Sequence, residues 1–277
     1  MKKIGSTFGR VYMALIMLFL YAPIIVLIVF SFNAGNSRSI FTGFSLHWYA
    51  ELFRDSMVLE SLYTTLAVSL LSAVIATALG TFASIGFYSM KKRWREPLLA
   101  INNIPMMNAD IVTGVSLCLL FVAAGSIFGF SNGFATLLIA HITFNVPYVI
   151  LSVMPKLRQL DRHLVDAAQD LGCTWMQAFW KVIVPEIRPG IVNGALMAFT
   201  MSIDDFIISY FTAGTGAQTL AVTIYSMTKK RVTPEINALS TLLFVTVLTL
   251  LIVVNIRSAQ QEKKRLKAER ALRKTSV

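Results

Sequence analysis

Six long apolar runs constrain this chain more than any motif does. They cover about Val11–Phe32, Leu62–Tyr88, Leu98–Ala124, Phe134–Met154, Ile191–Thr212 and Asn237–Ile256. A helix needs roughly 20 apolar residues to cross a hydrocarbon core about 30 Å thick. Lipid offers no partner to a bare N–H or C=O, so such runs cross as helices. The pattern predicts an all-α, polytopic membrane protein with six transmembrane helices. A soluble domain with an apolar core does not fit, because only 14% of the residues are charged, against about a quarter in soluble domains. The first run exceeds a secretory h-region and no small-residue cleavage site follows it, so it reads as a retained span. In the third run, Pro105 beside Asn102, Asn103 and Asn108 predicts either a broken helix or a short entry segment with the span starting near Ala109. Pro23 and Pro147 are expected to kink the first and fourth spans.

The net charge of +11 would suggest nucleic acid or an acidic partner in a soluble protein. Here the basic residues flank the apolar runs, and topology explains them better than nucleic acid does. Alternate loops carry twenty Lys and Arg on one side and five on the other. That asymmetry predicts cytoplasmic termini and a cytoplasmic segment 155–190. Lys229, Lys230 and Arg231 are a local exception after five spans. Residues 1–256 are expected to form a single transmembrane domain. Residues 257–277 are expected to be a basic cytoplasmic tail able to lie near anionic headgroups. Cys118 and Cys173 lack metal-type spacing and read as structural thiols without a disulfide.

Segment 155–190 is long for a connection in such a protein, and long ordered loops are usually functional. Its apolar residues recur at helical spacing: Leu164, Ala168, Leu171, Trp175, Phe179 and Val182. Asp161 is a plausible helix cap, and Pro185 and Pro189 are expected to close the segment before the next span. Ala168 and Gly172, four apart, are expected to share a face that another surface approaches closely.

Three acids fall inside predicted runs: Asp110, Asp204 and Asp205. Each costs roughly 2.5–3.5 kcal/mol near the bilayer centre, so it faces protein or water. No Lys or Arg shares those runs. In a continuous helix the neighbours Asp204 and Asp205 point about 100° apart. Asp205 then shares a polar stripe with Ser202, Ser209 and Thr212 and is expected to face the pathway, with Asp204 buried at a helix contact. Asp110 is either an acid at a restarting helix N-terminus or a second pathway site. Tyr210, Phe211 and Tyr225 are candidate ring faces for an organic cation. His141 reads as a hydrogen-bonded residue between helices rather than a metal ligand.

The segment reads Asp166-Ala167-Ala168-x₃-Gly172-x₉-Val182-x-Val184-Pro185. It resembles the loop signature of binding-protein-dependent ABC import permeases, Glu-Ala-Ala, three residues, Gly, nine residues, Ile-x-Leu-Pro. Asp for Glu and Val for Ile and Leu are the departures, and all spacings match. Asn108–Val112, Ser202–Phe206, Tyr225–Met227 and Val232–Leu239 extend the resemblance to the second permease subunits of spermidine/putrescine importers. The resemblance implies a type I ABC importer permease fold in a bacterial inner membrane. It also implies a homologous permease partner, two copies of a cytoplasmic ATPase and an external binding protein. Asp166, Ala167, Ala168, Gly172, Val182 and Pro185 would form the ATPase-coupling loop. Asp205, Asp204, Asp110 and Tyr225 would line the substrate pathway for a polyamine. The chain has no Gly-x₄-Gly-Lys-Ser/Thr loop, so it needs no cofactor of its own and ATP–Mg would be bound by the partner ATPase.

Three other readings stand beside this one. The first is an ABC permease for another cation or small organic solute. The second is an ion-coupled secondary transporter using Asp204 and Asp205, which leaves segment 155–190 unexplained. The third is a membrane enzyme, which would need a nucleophile turn or zinc motif that the sequence lacks.

Overall fold

A computed structural model describes residues 2–35, 40–214, 216–230, 234–249, 251–253 and 256. The tail 257–277 lies outside the described residues. The described elements are helical, with one isolated bridge between Asn33 and Phe44. In order they are α1 (Lys2–Ser31), α2 (His47–Leu52), α3 (Ser56–Ser89), α4 (Lys92–Met107), α5 (Asp110–Phe128) and α6 (Phe134–Gln159). These are followed by α7 (Arg162–Asp170), α8 (Trp175–Ala178), a π-helical turn (Phe179–Ile183), α9 (Val184–Asp204), α10 (Ile207–Thr212) and α11 (Leu220–Lys230). A last helix, α12, covers Pro234–Val253.

Six helical stretches among the described residues are long and apolar enough to span: Gly9–Ser31, Ser56–Ser89, Asp110–Phe128, Phe134–Gln159, Trp175–Asp204 and Pro234–Val253. The count agrees with the sequence, and the third run takes the second of its two expected shapes, a short entry segment with the span starting next to Ala109; the two boundaries of the fifth run differ. Pro105 does not break α4, which runs through it to Met107. The interruption falls at Asn108–Ala109, and the third span starts at Asp110. Pro185 and Pro189 do not close segment 155–190, because both lie inside α9. Proline is tolerated in a first turn, where its missing N–H is unused. The ring of Pro185 would crowd the carbonyl four residues earlier, and the wide π-turn just before α9 accommodates it. The fifth run, expected to continue to Thr212, stops as a helix at Asp204 and resumes as α10.

The chain divides into two units. One comprises residues 1–59 and 223–277. Its loop after α1 is pinned by Asn33, whose Oδ1 accepts from the Thr42 N–H at 2.8 Å and whose C=O accepts from Trp48 Nε1 at 2.8 Å.

The other unit, residues 60–222, contains both candidate sites. Its core joins Ala73 and Ala76 of α3, Val149, Val153 and Leu157 of α6, and Ile187 and Ala198 of α9. Small residues let the backbones touch. A Cβ at Gly190 would meet the Ser152 carbonyl at 2.9 Å, and one at Gly194 would meet Val149 Cα at 3.2 Å. This is a Gly-x₃-Gly contact, the packing device of helices that have no hydrophobic drive between them in lipid. In the same unit α5 packs on α10, where a Cβ on Gly114 would meet the Phe211 ring at 3.1 Å and the Ile207 carbonyl at 3.4 Å.

Candidate functional site

Segment 155–190 folds into an elbow built from local signals. The Asp161 side chain caps α7 by accepting the His163 N–H at 3.0 Å, as the sequence predicts. The helix ends in a Schellman motif: the Gly172 N–H donates to the Gln169 carbonyl at 2.8 Å and the Cys173 N–H to the Ala168 carbonyl at 3.0 Å. Gly172 has φ +86°, the left-handed conformation that favours glycine. The reason for glycine there is the turn. Nothing lies within 4 Å of the place a Cβ would take, and Gly172 is beyond the end of α7, so it does not share a helical face with Ala168. Thr174 then opens α8 in a reciprocal capping box with Gln177.

The elbow presents apolar side chains outward. Leu171 is 87% exposed, and Leu164, Trp175, Met176 and Trp180 are also exposed, while Phe179 is buried and stacks on Trp175 with centroids 5.7 Å apart. Asp166 and Ala167 are exposed and Ala168 and Val182 half-buried; Pro185, in the first turn of α9, is exposed. Asp166 also lines a groove of about 250 Å³ with Tyr88, Leu157, Leu160 and Trp175.

The second site is the break between α9 and α10. Asp205 is the residue after α9, with extended backbone (φ −69°, ψ 125°). Its Oδ1 accepts the Ile208 N–H at 3.2 Å, and its Oδ2 accepts the Ser209 N–H at 2.8 Å and the Ser209 hydroxyl at 2.9 Å. The carboxylate thus satisfies donors at the start of α10, and its side chain is only 7% exposed. Asp204 is exposed and has no hydrogen bond or ion pair among the described residues. The orientations are the reverse of the sequence expectation. The 100° argument assumed one continuous helix, but the helix ends between the two acids, so Asp205 turns inward and Asp204 outward.

Asp110, exposed, occupies the first turn of α5. Gly114, one turn on, touches α10 at Ile207 and Ile208, so Asp110 lies one helical turn from the contact with the segment that Asp205 caps. Tyr148 of α6 packs against the same α10 segment, beside Ile208. Tyr148 meets Phe144 edge-on at 5.3 Å beside the core of Phe121, Ala140 and Ile208. Sequence reasoning missed Tyr148 because it lies in a different helix from every acid. Tyr225 belongs to the unit of residues 1–59 and 223–277, and the Lys229 ammonium sits 4.7 Å over its ring. No group of three His, Cys, Asp or Glu suited to a metal occurs among the described residues.

Residues 76–266 match the family model described as binding-protein-dependent transport system inner membrane component. The chain belongs to this family. It is 38% identical over 228 residues to the putrescine transport system permease protein PotI of Escherichia coli, covering 81% of each chain. It is 35% identical over 242 residues to the spermidine/putrescine transport system permease protein PotC of Haemophilus influenzae, covering 87% of this chain and 93% of that one. Among solved structures, a bacterial ABC transporter that imports alginate aligns with a TM-score of 0.69 at 16% identity, covering 94% of this chain and 96% of that chain. The MetNI methionine ABC transporter aligns with a TM-score of 0.60 at 21% identity, covering 73% and 94%. At those identities the likeness concerns the fold, which is that of ABC importer permeases. The family chain is therefore an inner-membrane permease, a transport subunit rather than an enzyme.

Proposed function

We propose that this permease carries polyamines such as putrescine or spermidine into the cytoplasm, driven by ATP hydrolysed in another chain. The observation that carries the reading is the exposed Asp204 carboxylate, without a hydrogen bond or ion pair among the described residues, at a helix break within an apolar run. An isolated carboxylate facing lipid is costly, whereas one facing a di- or polycation replaces part of that solute's lost hydration. The 35–38% identity to putrescine and spermidine/putrescine permeases points to the same class of cargo.

In this reading Asp204 and Asp110 touch the substrate, Tyr148 offers a nearby aromatic edge, and Asp205 shapes the break. Tyr225, with Lys229 over its ring, is assigned to packing. The elbow around Asp166, Ala167, Ala168, Gly172, Val182 and Pro185 docks on an ATPase that binds ATP–Mg, and its outward Leu171, Trp175 and Met176 supply the apolar contact. A homologous permease completes the pathway, a second ATPase copy serves that partner, and an external binding protein delivers the cargo. Both termini and the elbow are cytoplasmic, and residues 1–256 act as one transmembrane permease domain ahead of the basic tail.

Reconstitution tests this. Purified with a second permease and an ATPase in proteoliposomes, the complex should hydrolyse ATP faster when polyamine-loaded binding protein is added. Asp204→Asn should cut polyamine uptake about tenfold or more. Uptake that follows an ion gradient without any ATPase, or an Asp204→Asn variant with unchanged uptake, defeats the proposal.

A further inference from the structure

The helix break is clasped from a third helix. His141 of α6 is 1% exposed, and both ring nitrogens are engaged. Nδ1 lies 2.6 Å from Ser202 Oγ, in the last turn of α9, and Nε2 lies 3.0 Å from Ser209 Oγ, in α10. Nε2 is also 3.6 Å from Asp205 Oδ2. The ring therefore bridges the two helices on either side of the break.

Hydrogen bookkeeping fixes the direction of these bonds. A hydroxyl has one proton. Ser209 gives its proton to the Asp205 carboxylate, so its oxygen accepts from His141 Nε2–H. In the neutral ring Nδ1 is then the acceptor and takes the Ser202 proton. Ser202 in turn lies 3.1 Å from Ser72 Oγ of α3, and Ser72 accepts from Asn145 Nδ2 at 3.3 Å. One tautomer accommodates every bond in the chain from Asn145 Nδ2 to Asp205. Ser72, Asn145, Ser202 and Ser209 are all buried, so water does not substitute readily for any link.

We propose that His141 is a positioning residue for transport. By tying Ser202 to Ser209 across the break it holds Asp205 inward and so keeps the adjacent Asp204 carboxylate turned outward. That His141 serves transport rests on Asp204 touching the cargo; the geometric part does not. Without the clasp, α9 and α10 can rejoin as a continuous helix, which rotates residues 204 and 205 about the axis and withdraws the residue 204 side chain.

The test is thiol labelling in the full reconstituted complex, with Cys118 and Cys173 replaced by Ser. Asp204→Cys and, as a control, Asp110→Cys are reacted with a cationic methanethiosulfonate. His141→Ala should slow labelling at 204 about tenfold, the size of a modest population shift, while labelling at 110 stays within about twofold. Should His141→Ala not assemble, the Ser202→Ala/Ser209→Ala pair cuts both arms of the clasp with little volume lost, and the same two rates are expected. An unchanged rate at 204, or equal changes at 204 and 110, overturns the inference. Labelling needs no substrate, so a failure of the polyamine reading shows separately, as an Asp204→Asn variant with normal uptake.

Discussion

The elbow at residues 161–183 and the break at 204–207 both interrupt helices, and they do it by different means. The elbow uses residues within a few positions of each turn: Asp161 at one start, Gly172 at the stop, Thr174 with Gln177 at the next start. These caps are exposed to solvent. The break uses Asp205 locally and then reaches to His141, 64 positions away in α6, and through Ser202 to Ser72 in α3. Water satisfies loose helix ends at a surface, so short-range caps suffice there. Inside an apolar layer nothing else satisfies them, and the protein must bring partners from other helices. The elbow's geometry is accordingly replaceable piece by piece, while that of the break is held jointly.

The sharpest way to break this contrast is Asp205→Ala. It strips a buried acceptor from two N–H groups and a hydroxyl at once and leaves His141 without its nearby anion. Stability of the solubilised complex should fall by about 3 kcal/mol or more, read as a lowered midpoint of thermal unfolding. A loss below about 1 kcal/mol would mean the break is no more cooperative than the elbow. Gly172→Ala comes next. Forcing a side chain into the left-handed region costs about 1–2 kcal/mol, and because no atom crowds the site the effect should be confined to faster hydrogen exchange in α7 and α8. Gly172→Asn should lose less, since Asn tolerates that conformation. The smallest effect belongs to Thr174→Ala, about 0.5–1 kcal/mol for a lost N-cap, again seen in exchange at α8 and not in the global melt. Were Thr174→Ala to lower the global midpoint as much as Asp205→Ala, the distinction between the two regions would be gone.

The same distinction decides what a reader of the sequence recovers. Run length gives the six spans, because lipid imposes it on each helix alone. The Asp161 cap is recoverable, because capping is settled within three residues. The elbow's boundary with α9 is not, since Pro185 and Pro189 look like terminators and become interior residues only once a π-turn precedes them. The positions of the acids are legible, while their burial is exchanged, with Asp205 inward and Asp204 exposed. Nothing near Asp204 announces that the helix stops there, and the side chain that holds the stop, His141, is remote in sequence. The sequence marks it as a hydrogen-bonded residue between helices but not its partners Ser202 and Ser209, which give it a role. Tyr148 and the Gly190–Gly194 contact had no local mark at all beyond a spacing that many helices share.

The glycine contact carries a mechanical consequence. Where α6 and α9 meet at Gly190 and Gly194, main chain comes against main chain, and the Lys156, Val149 and Ser152 side chains fill the same contact, which leaves little room for a displacement. The two helices must therefore turn as one stiff bar. A bar 21 residues long reaches about 30 Å, and its ends are the elbow and Asp204. On the proposed docking of the elbow, a small tilt imposed there would be delivered, with little lost to compression, to the carboxylate at the far end.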